Sequence, residues 1–112
     1  MKTTGNTIFI SGGSAGIGLA FAKKLSAAGN KIIINGRNEE RLQKALKELD
    51  NAIGIQGDLS VEADRIKIVK ELREHYPELN IVINNAGAAY MNDLSDSTNN
   101  YNRKIKMYTN LN

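Results

Sequence analysis

The chain has 112 residues, 41% of them hydrophobic and 24% charged, a balance that suits a folded domain and excludes a disordered one. It has no cysteine and one histidine, which excludes disulfides, thiolate catalysis and Cys-type zinc sites, and leaves little from which to build any metal centre. The net charge of +3 rests on Arg103, Lys104 and Lys106, because residues 1–98 carry 12 basic and 12 acidic side chains.

Thr7–Ser11 is a β-branched and aromatic run that stops at glycines, which predicts a strand. Beyond a Gly-rich turn, Ile17, Phe21, Leu25 and Ala28 recur at helical spacing, and Gly29 is placed to end that helix. Lys31–Asn35 is a second strand whose unbroken apolar run predicts cover on both faces. Asn38 is a candidate cap for a second helix with Leu42, Ala45, Leu46 and Leu49 inward and a Glu40–Lys44 pair outward. A third strand is expected over Ala52–Gly57. Ser60 is the expected cap of a third helix, with Ile66, Val69 and Leu72 on its apolar face and Pro77 just beyond its end. His75, near that end, reads as a structural residue favoured by the helix dipole. Asn80–Asn84 is a fourth strand.

Residues 88–100 are Asn- and Ser-rich and read as a loop. Tyr101, Ile105, Tyr108 and Leu111 then follow helical spacing, so the start of a fourth helix is expected, with Tyr101 and Tyr108 as packing residues. The sequence stops inside that pattern without a cap, which reads as a truncated α/β domain over residues 1–112.

Alternating strands and helices predict a doubly wound parallel sheet with right-handed crossovers and strand order 3-2-1-4. Ligands of such sheets bind beyond the carboxyl ends of the strands, at the point where the order reverses. The segments that follow each strand are therefore candidates for one site. Gly12, Gly16 and Gly18 give a GxxxGxG turn between strand and helix, where backbone amides can meet a pyrophosphate. After strand two come Gly36, Arg37 and Asn38, with no acid before Glu39, a pattern better suited to a 2′-phosphate than to a free ribose. Asp58, after strand three, fits either a ligand contact or a turn into the Ser60 cap. Asn84-Asn85-Ala86-Gly87, after strand four, fits either a close approach to a ligand or an ordinary turn.

Together, Ser11–Gly18, Asp58-Leu59 and Asn84–Gly87 resemble the short-chain dehydrogenase/reductase family, whose cofactor-binding half has a Rossmann fold. The run Gly5–Gly18 is also similar to a bacterial branch found beside teichoic-acid D-alanylation genes. The resemblance spans residues 6–112, and family members usually run to more than twice this length. It implies that Gly12, Gly16, Ile17 and Gly18 line the pyrophosphate, with Ser14, Arg37 and Asn38 near the adenosine ribose phosphate. It places Asp58 and Leu59 at the adenine, and Asn85, Ala86 and Gly87 along the cofactor. Asn110 matches the Asn that holds a water in the family's proton relay. Ser11 stands where Thr is commoner.

The family's proton donor is a Tyr followed four residues later by Lys, with a Ser upstream. Here the residues four beyond Tyr76, Tyr90, Tyr101 and Tyr108 are Asn80, Leu94, Ile105 and Asn112. The expected function is thus the NADP(H)-binding half of a short-chain oxidoreductase acting on a small carbonyl or alcohol, inactive alone. The alternatives are a non-catalytic nucleotide-binding module and a truncated product without function. A cytoplasmic address is expected, since no secretory pattern opens the chain and no apolar run approaches the roughly 20 residues of a spanning helix. The short basic segment reads as a solvated face, so no nucleic-acid partner is expected. With strand four as an uncovered edge, Ile81–Ile83 would favour self-association.

Overall fold

The computed structural model describes residues 4–85 and 105–109. Five strands, β1 (Thr7–Ser11), β2 (Lys31–Gly36), β3 (Ala52–Gln56), β4 (Ile81–Asn84) and β5 (Lys106–Thr109), form one sheet in the order β3-β2-β1-β4-β5. Every pairing is parallel. Helices α1 (Gly16–Ala27), α2 (Glu39–Leu46) and α3 (Glu62–His75) supply the crossovers.

Alternation along each strand sorts the core into two layers. Ile8, Ile10, Ile32, Ile34, Ile81 and Ile83 face α1 and α2, meeting Ala22, Leu42 and Ala45. Phe9, Ile33 and Val82 face the other way, onto Ile68, Val69 and Leu72 of α3. Burial on both faces is why the strands read as unbroken aliphatic runs.

The last element corrects the sequence reading. Residues 106–109 are a strand and not part of a fourth helix, with Val82 opposite Met107 and Ile83 opposite Tyr108. Ile105 is buried, Lys106 exposed, Met107 half-buried and Tyr108 exposed, a period of two. The helical spacing rested on Tyr101 and Leu111, which lie outside the described residues. What decides the outcome is the apolar β4, whose open side is satisfied by a ladder that begins with Lys106 N donating to Asn80 O. β4 is therefore not an edge, and the self-association expected from an exposed Ile81–Ile83 loses that basis. The loop expected over residues 88–100 lies outside the described residues.

Two helix faces are also rotated from expectation. α1 buries Gly18, Ala22 and Ser26, while Ile17 is 46% exposed. Small residues at every fourth position let the helix axis come close to the sheet, and proximity outweighs the burial of one larger side chain. Ser26 Oγ also accepts from the amides of Asp50 and Asn51, tying α1 to the turn before β3. α3 buries Ile68, Val69 and Leu72, and leaves Ile66 57% exposed.

Other boundaries follow the sequence. Gly29, at φ +94°, ends α1, and α3 stops at His75, two residues before Pro77. His75 Nε2 lies 3.5 Å from Glu71 on the exposed side of α3. Asn38 Oδ1 accepts from Arg41 N at 2.8 Å and caps α2. The i,i+4 contact on that helix joins Gln43 to Glu39, in place of the expected Glu40–Lys44 pair. Ser60 does not cap α3. Its amide and hydroxyl both donate to Asp58 Oδ1, and α3 begins two residues later, after Val61.

At the amino ends of the strands, three asparagines clamp the sheet. Asn30 Oδ1 accepts from Asn6 N and Nδ2, and Asn6 Oδ1 accepts from Asn80 Nδ2. Asn80 Oδ1 accepts from Thr7 N, closing the link between β1, β2 and β4. Satisfied side-chain amides allow this end to be buried, so the opposite end is free to carry a site.

The rotated face of α3 has a measurable consequence. Ile68→Ala should destabilise the chain by roughly 2–5 kcal/mol, whereas Ile66→Ala should stay within about 0.5 kcal/mol of the parent. Urea denaturation of both variants checks this, and equal losses would restore the sequence-derived face.

Candidate functional site

The carboxyl ends of β1, β2 and β3 open onto a cleft of about 710 Å³. Gly12, Ser14 and Ala15 line it from the turn after β1; Asn35, Gly36, Arg37, Asn38 and Arg41 from the end of β2 and the start of α2. Asp58, Leu59 and Ser60 line it from the loop after β3. Of the residues singled out from sequence, Gly12, Ser14, Arg37, Asn38, Asp58 and Leu59 thus share one cavity. Gly16, Ile17 and Gly18 form the first turn of α1 beside it. Asn85 joins the same turn, its Nδ2 donating to the Gly12 carbonyl at 3.3 Å. Ala86, Gly87 and Asn110 lie outside the described residues.

The turn after β1 has its shape because of two glycines. Gly12 sits at φ +68°, which a side chain would strain. A Cβ on Gly18 would overlap the Gly12 carbonyl and lie 2.7 Å from Asn85 Nδ2. Helix α1 therefore starts hard against the turn that precedes it. Its N-cap residue, Ala15, makes no side-chain cap, and its first turn contains no acid. Amides at such a terminus suit an anion. Ser11 Oγ donates to Asn84 Oδ1 at 3.0 Å and fixes the ends of β1 and β4 to each other.

Asn35 organises the other wall. It is buried, and its Nδ2 donates to the carbonyls of Ile55 and Gly57 at 3.0 and 3.1 Å. Its own carbonyl accepts from Gly13 N at 3.0 Å, so one residue joins the loops after β1 and β3 to β2. Ser14 lies against Gly36, where an added Cβ would stand 2.6 Å from Ser14 Oγ. Gln56 Nε2 donates to the Arg37 carbonyl at 2.7 Å and anchors the backbone of that exposed loop.

Among the described residues, Asp58 is the single acid on the lining. The Ser60 hydroxyl and amide both donate to its Oδ1, at 2.6 and 2.9 Å. These bonds hold its carboxyl below the ordinary value; partial burial opposes them and the Arg37 charge assists. Asp58 N in turn donates to Asp64 Oδ2 at 2.7 Å, and Arg65 Nη1 donates to the Leu59 carbonyl. Asp58 thus builds a turn, though not one into a Ser60 cap, and it lies on the lining of the cleft.

Arg41, Asn35 and Ser60 were not singled out as site residues. Asn35 reads as a strand terminus, and Ser60 as a helix cap. Arg41 did carry a signal, because a cation in the first turn of a helix opposes the dipole.

Strand order, Gly-rich turn and cleft define a doubly wound α/β domain of the Rossmann type. The chain belongs to the short chain dehydrogenase family, whose sequence profile matches residues 6–112. It is 46% identical over 87 residues to an uncharacterized oxidoreductase of Bacillus subtilis, DltE, covering 78% of this chain and 34% of that one. It is 35% identical over 107 residues to the NADP-dependent (R)-specific alcohol dehydrogenase of Lentilactobacillus kefiri, covering 93% of this chain and 42% of the relative. Among solved structures, the RhlG/NADP active-site complex of Pseudomonas aeruginosa superposes with a TM-score of 0.69 at 33% identity, over 76% of this chain and 34% of that one. The chain thus spans between about a third and two fifths of the length of these relatives. Family membership implies a nicotinamide dinucleotide cofactor. Among the described residues, no helix is long and apolar enough to cross a membrane.

The Asp58 turn makes a pH-dependent contribution with a definite sign. Its carboxyl titrates lower in the folded chain than in the unfolded one, so it stabilises at neutral pH. That contribution is lost as pH falls through the carboxylate range towards the folded value. Ser60→Ala should move the Asp58 titration upward, towards the ordinary carboxylate value of about 3.9, as read by side-chain NMR. An unmoved titration would show that Ser60 does not hold the charge.

Proposed function

We propose that residues 1–112 are the NADP(H)-binding half of a short-chain oxidoreductase. The bound cofactor supplies or accepts hydride at a small carbonyl or alcohol carbon. Arg37 carries the choice of NADP(H) over NAD(H). It stands on the cleft at the end of β2 with Ser14 near it, where a site for an unphosphorylated ribose needs a carboxylate. Among the described residues the one acid on the lining, Asp58, already accepts two hydrogen bonds from Ser60. The NADP named for the Lentilactobacillus and Pseudomonas relatives supports the same choice.

In this reading the uncapped first turn of α1, with Gly12, Gly16, Ile17 and Gly18, receives the pyrophosphate. The positive φ at Gly12, and a bare Gly18 that lets α1 start directly against that turn, fit a group that must approach backbone amides directly. Ser14, Arg37 and Asn38 hold the ribose phosphate, and Asp58 and Leu59 border the adenine. Asn85 holds the Gly12 carbonyl in place and so positions the turn. Ala86 and Gly87 along the cofactor, and Asn110 in a proton relay, complete the proposal. Residues 1–112 contain no Tyr followed four residues later by Lys, so binding and orientation are assigned to this chain, and turnover is not.

An Arg–phosphate contact with two charge-assisted hydrogen bonds is worth roughly 1.5–3 kcal/mol per bond when well formed, and less in an exposed loop. NADPH should therefore bind at least about tenfold more tightly than NADH, which is about 1.4 kcal/mol. Arg37→Asp should reverse the order, since it sets a carboxylate where the phosphate sits. Fluorescence titration of both cofactors against parent and variant decides it. Equal affinities in the parent, or an unchanged ratio in Arg37→Asp, would reduce Arg37 to a loop residue.

A further inference from the structure

Arg41 shares the cleft with Arg37, four residues away across the start of α2. It stands in the first turn of α2, where the dipole favours acids, and Glu39 and Glu40 already supply them, so the helix itself gains nothing from a cation there. Capping does not require the side chain. Asn38 caps through the Arg41 backbone amide, which any residue except proline would supply. Nor is the charge used in an ion pair, since among the described residues the salt bridges involve Lys23, Lys31, Lys70 and His75. Glu39, on the same turn, accepts from Gln43 instead.

A guanidinium that the helix does not need, outside any ion pair among the described residues and on a cleft wall, gains most when an anion enters the cleft. We propose that Arg41 is a second specificity-determining contact for the 2′-phosphate, acting with Arg37 as a cationic pair. The inference rests on the NADP(H) reading of this cleft and extends it to a residue outside the Gly-rich, Asp-Leu and Asn-Asn-Ala-Gly motifs. Two cations around one phosphate monoester favour its dianion over a neutral ribose hydroxyl more strongly than one does. The Arg37 loop is held by Gln56 and Arg41 is held by its helix, so the two charges approach the phosphate from independently anchored backbone.

The test is calorimetric titration of the 112-residue chain and its variants with NADPH, NADH and adenosine 2′,5′-bisphosphate. Arg41→Gln should weaken NADPH and the bisphosphate by about tenfold and leave NADH within about twofold of the parent. Arg41→Lys should fall between them, because it keeps the charge and loses the fork. The melting temperature of Arg41→Gln should be unchanged or slightly higher, since a cation has left the first turn. A purely structural role would instead lower the melting temperature and weaken both cofactors alike, which would overturn the proposal. A ratio of NADPH to NADH affinity that survives Arg41→Gln but collapses in Arg37→Asp would overturn it alone and leave the NADP reading standing. A parent chain with no preference would overturn both.

Discussion

Helix α1 can follow β1 as closely as it does only because the Gly12 carbonyl meets a bare α-carbon at Gly18. A side chain there would overlap the carbonyl, and the Asn85 amide that binds the carbonyl stands in the remaining space. That contact ties together the ends of β1 and β4 and the start of α1. It also sets the start of α1 beside the cleft, whose lining on that side is Gly12, Ser14 and Ala15. The small face of α1, Gly18, Ala22 and Ser26, continues the same close approach along the sheet. Packing and site geometry are consequences of one steric constraint.

The opposite wall depends on hydrogen bonding. Asn35 spends both amide hydrogens on carbonyls of the β3 end, while its backbone carbonyl receives Gly13 N. Three strand ends are thereby joined beneath the cleft. The asparagines at the far end, Asn6, Asn30 and Asn80, do the same work where no cleft is needed. On this frame the charges are sorted: Arg37 and Arg41 on one side of the lining, and Asp58, already engaged by Ser60, on the other. Both Ser60 bonds fall on Oδ1 of Asp58 and the Arg37 charge acts on that carboxylate, so two cations against one acid leave the lining net positive.

Much of this was legible in the sequence. β1, β2 and β4 announce themselves as aliphatic runs because both faces of a parallel sheet are covered, and their order follows from the crossovers. Gly12, Ser14, Arg37, Asp58 and Leu59 come together because each follows a strand whose end points the same way. The misreadings share a cause: spacing alone does not say which face of a segment turns inward. In α1 and α3 the aliphatic positions compete with small or neighbouring ones, and contact with the sheet decided for Gly18 over Ile17 and for Ile68 over Ile66. Lys106–Thr109 is too short for its own periodicity to distinguish strand from helix, and only the open side of β4 resolves it. Ser60 looked like a cap because it precedes α3, but Asp58 lies nearer and took both its donors. Arg41 was legible in principle, as a cation on the wrong end of a helix.

The central claim is that the wall of the cleft formed by the end of β2 and the start of α2 is a cationic seat for the 2′-phosphate of NADP(H). The most direct measurement is a ³¹P NMR titration of that phosphate in the bound cofactor. A phosphate monoester free in water passes from dianion to monoanion near pH 6, about the value expected for unbound NADPH. Seated between Arg37 and Arg41, it should titrate well below that, because two positive charges favour the dianion. A bound 2′-phosphate that titrates as it does in free solution would contradict the claim, since it would place the phosphate in solvent and the arginines elsewhere.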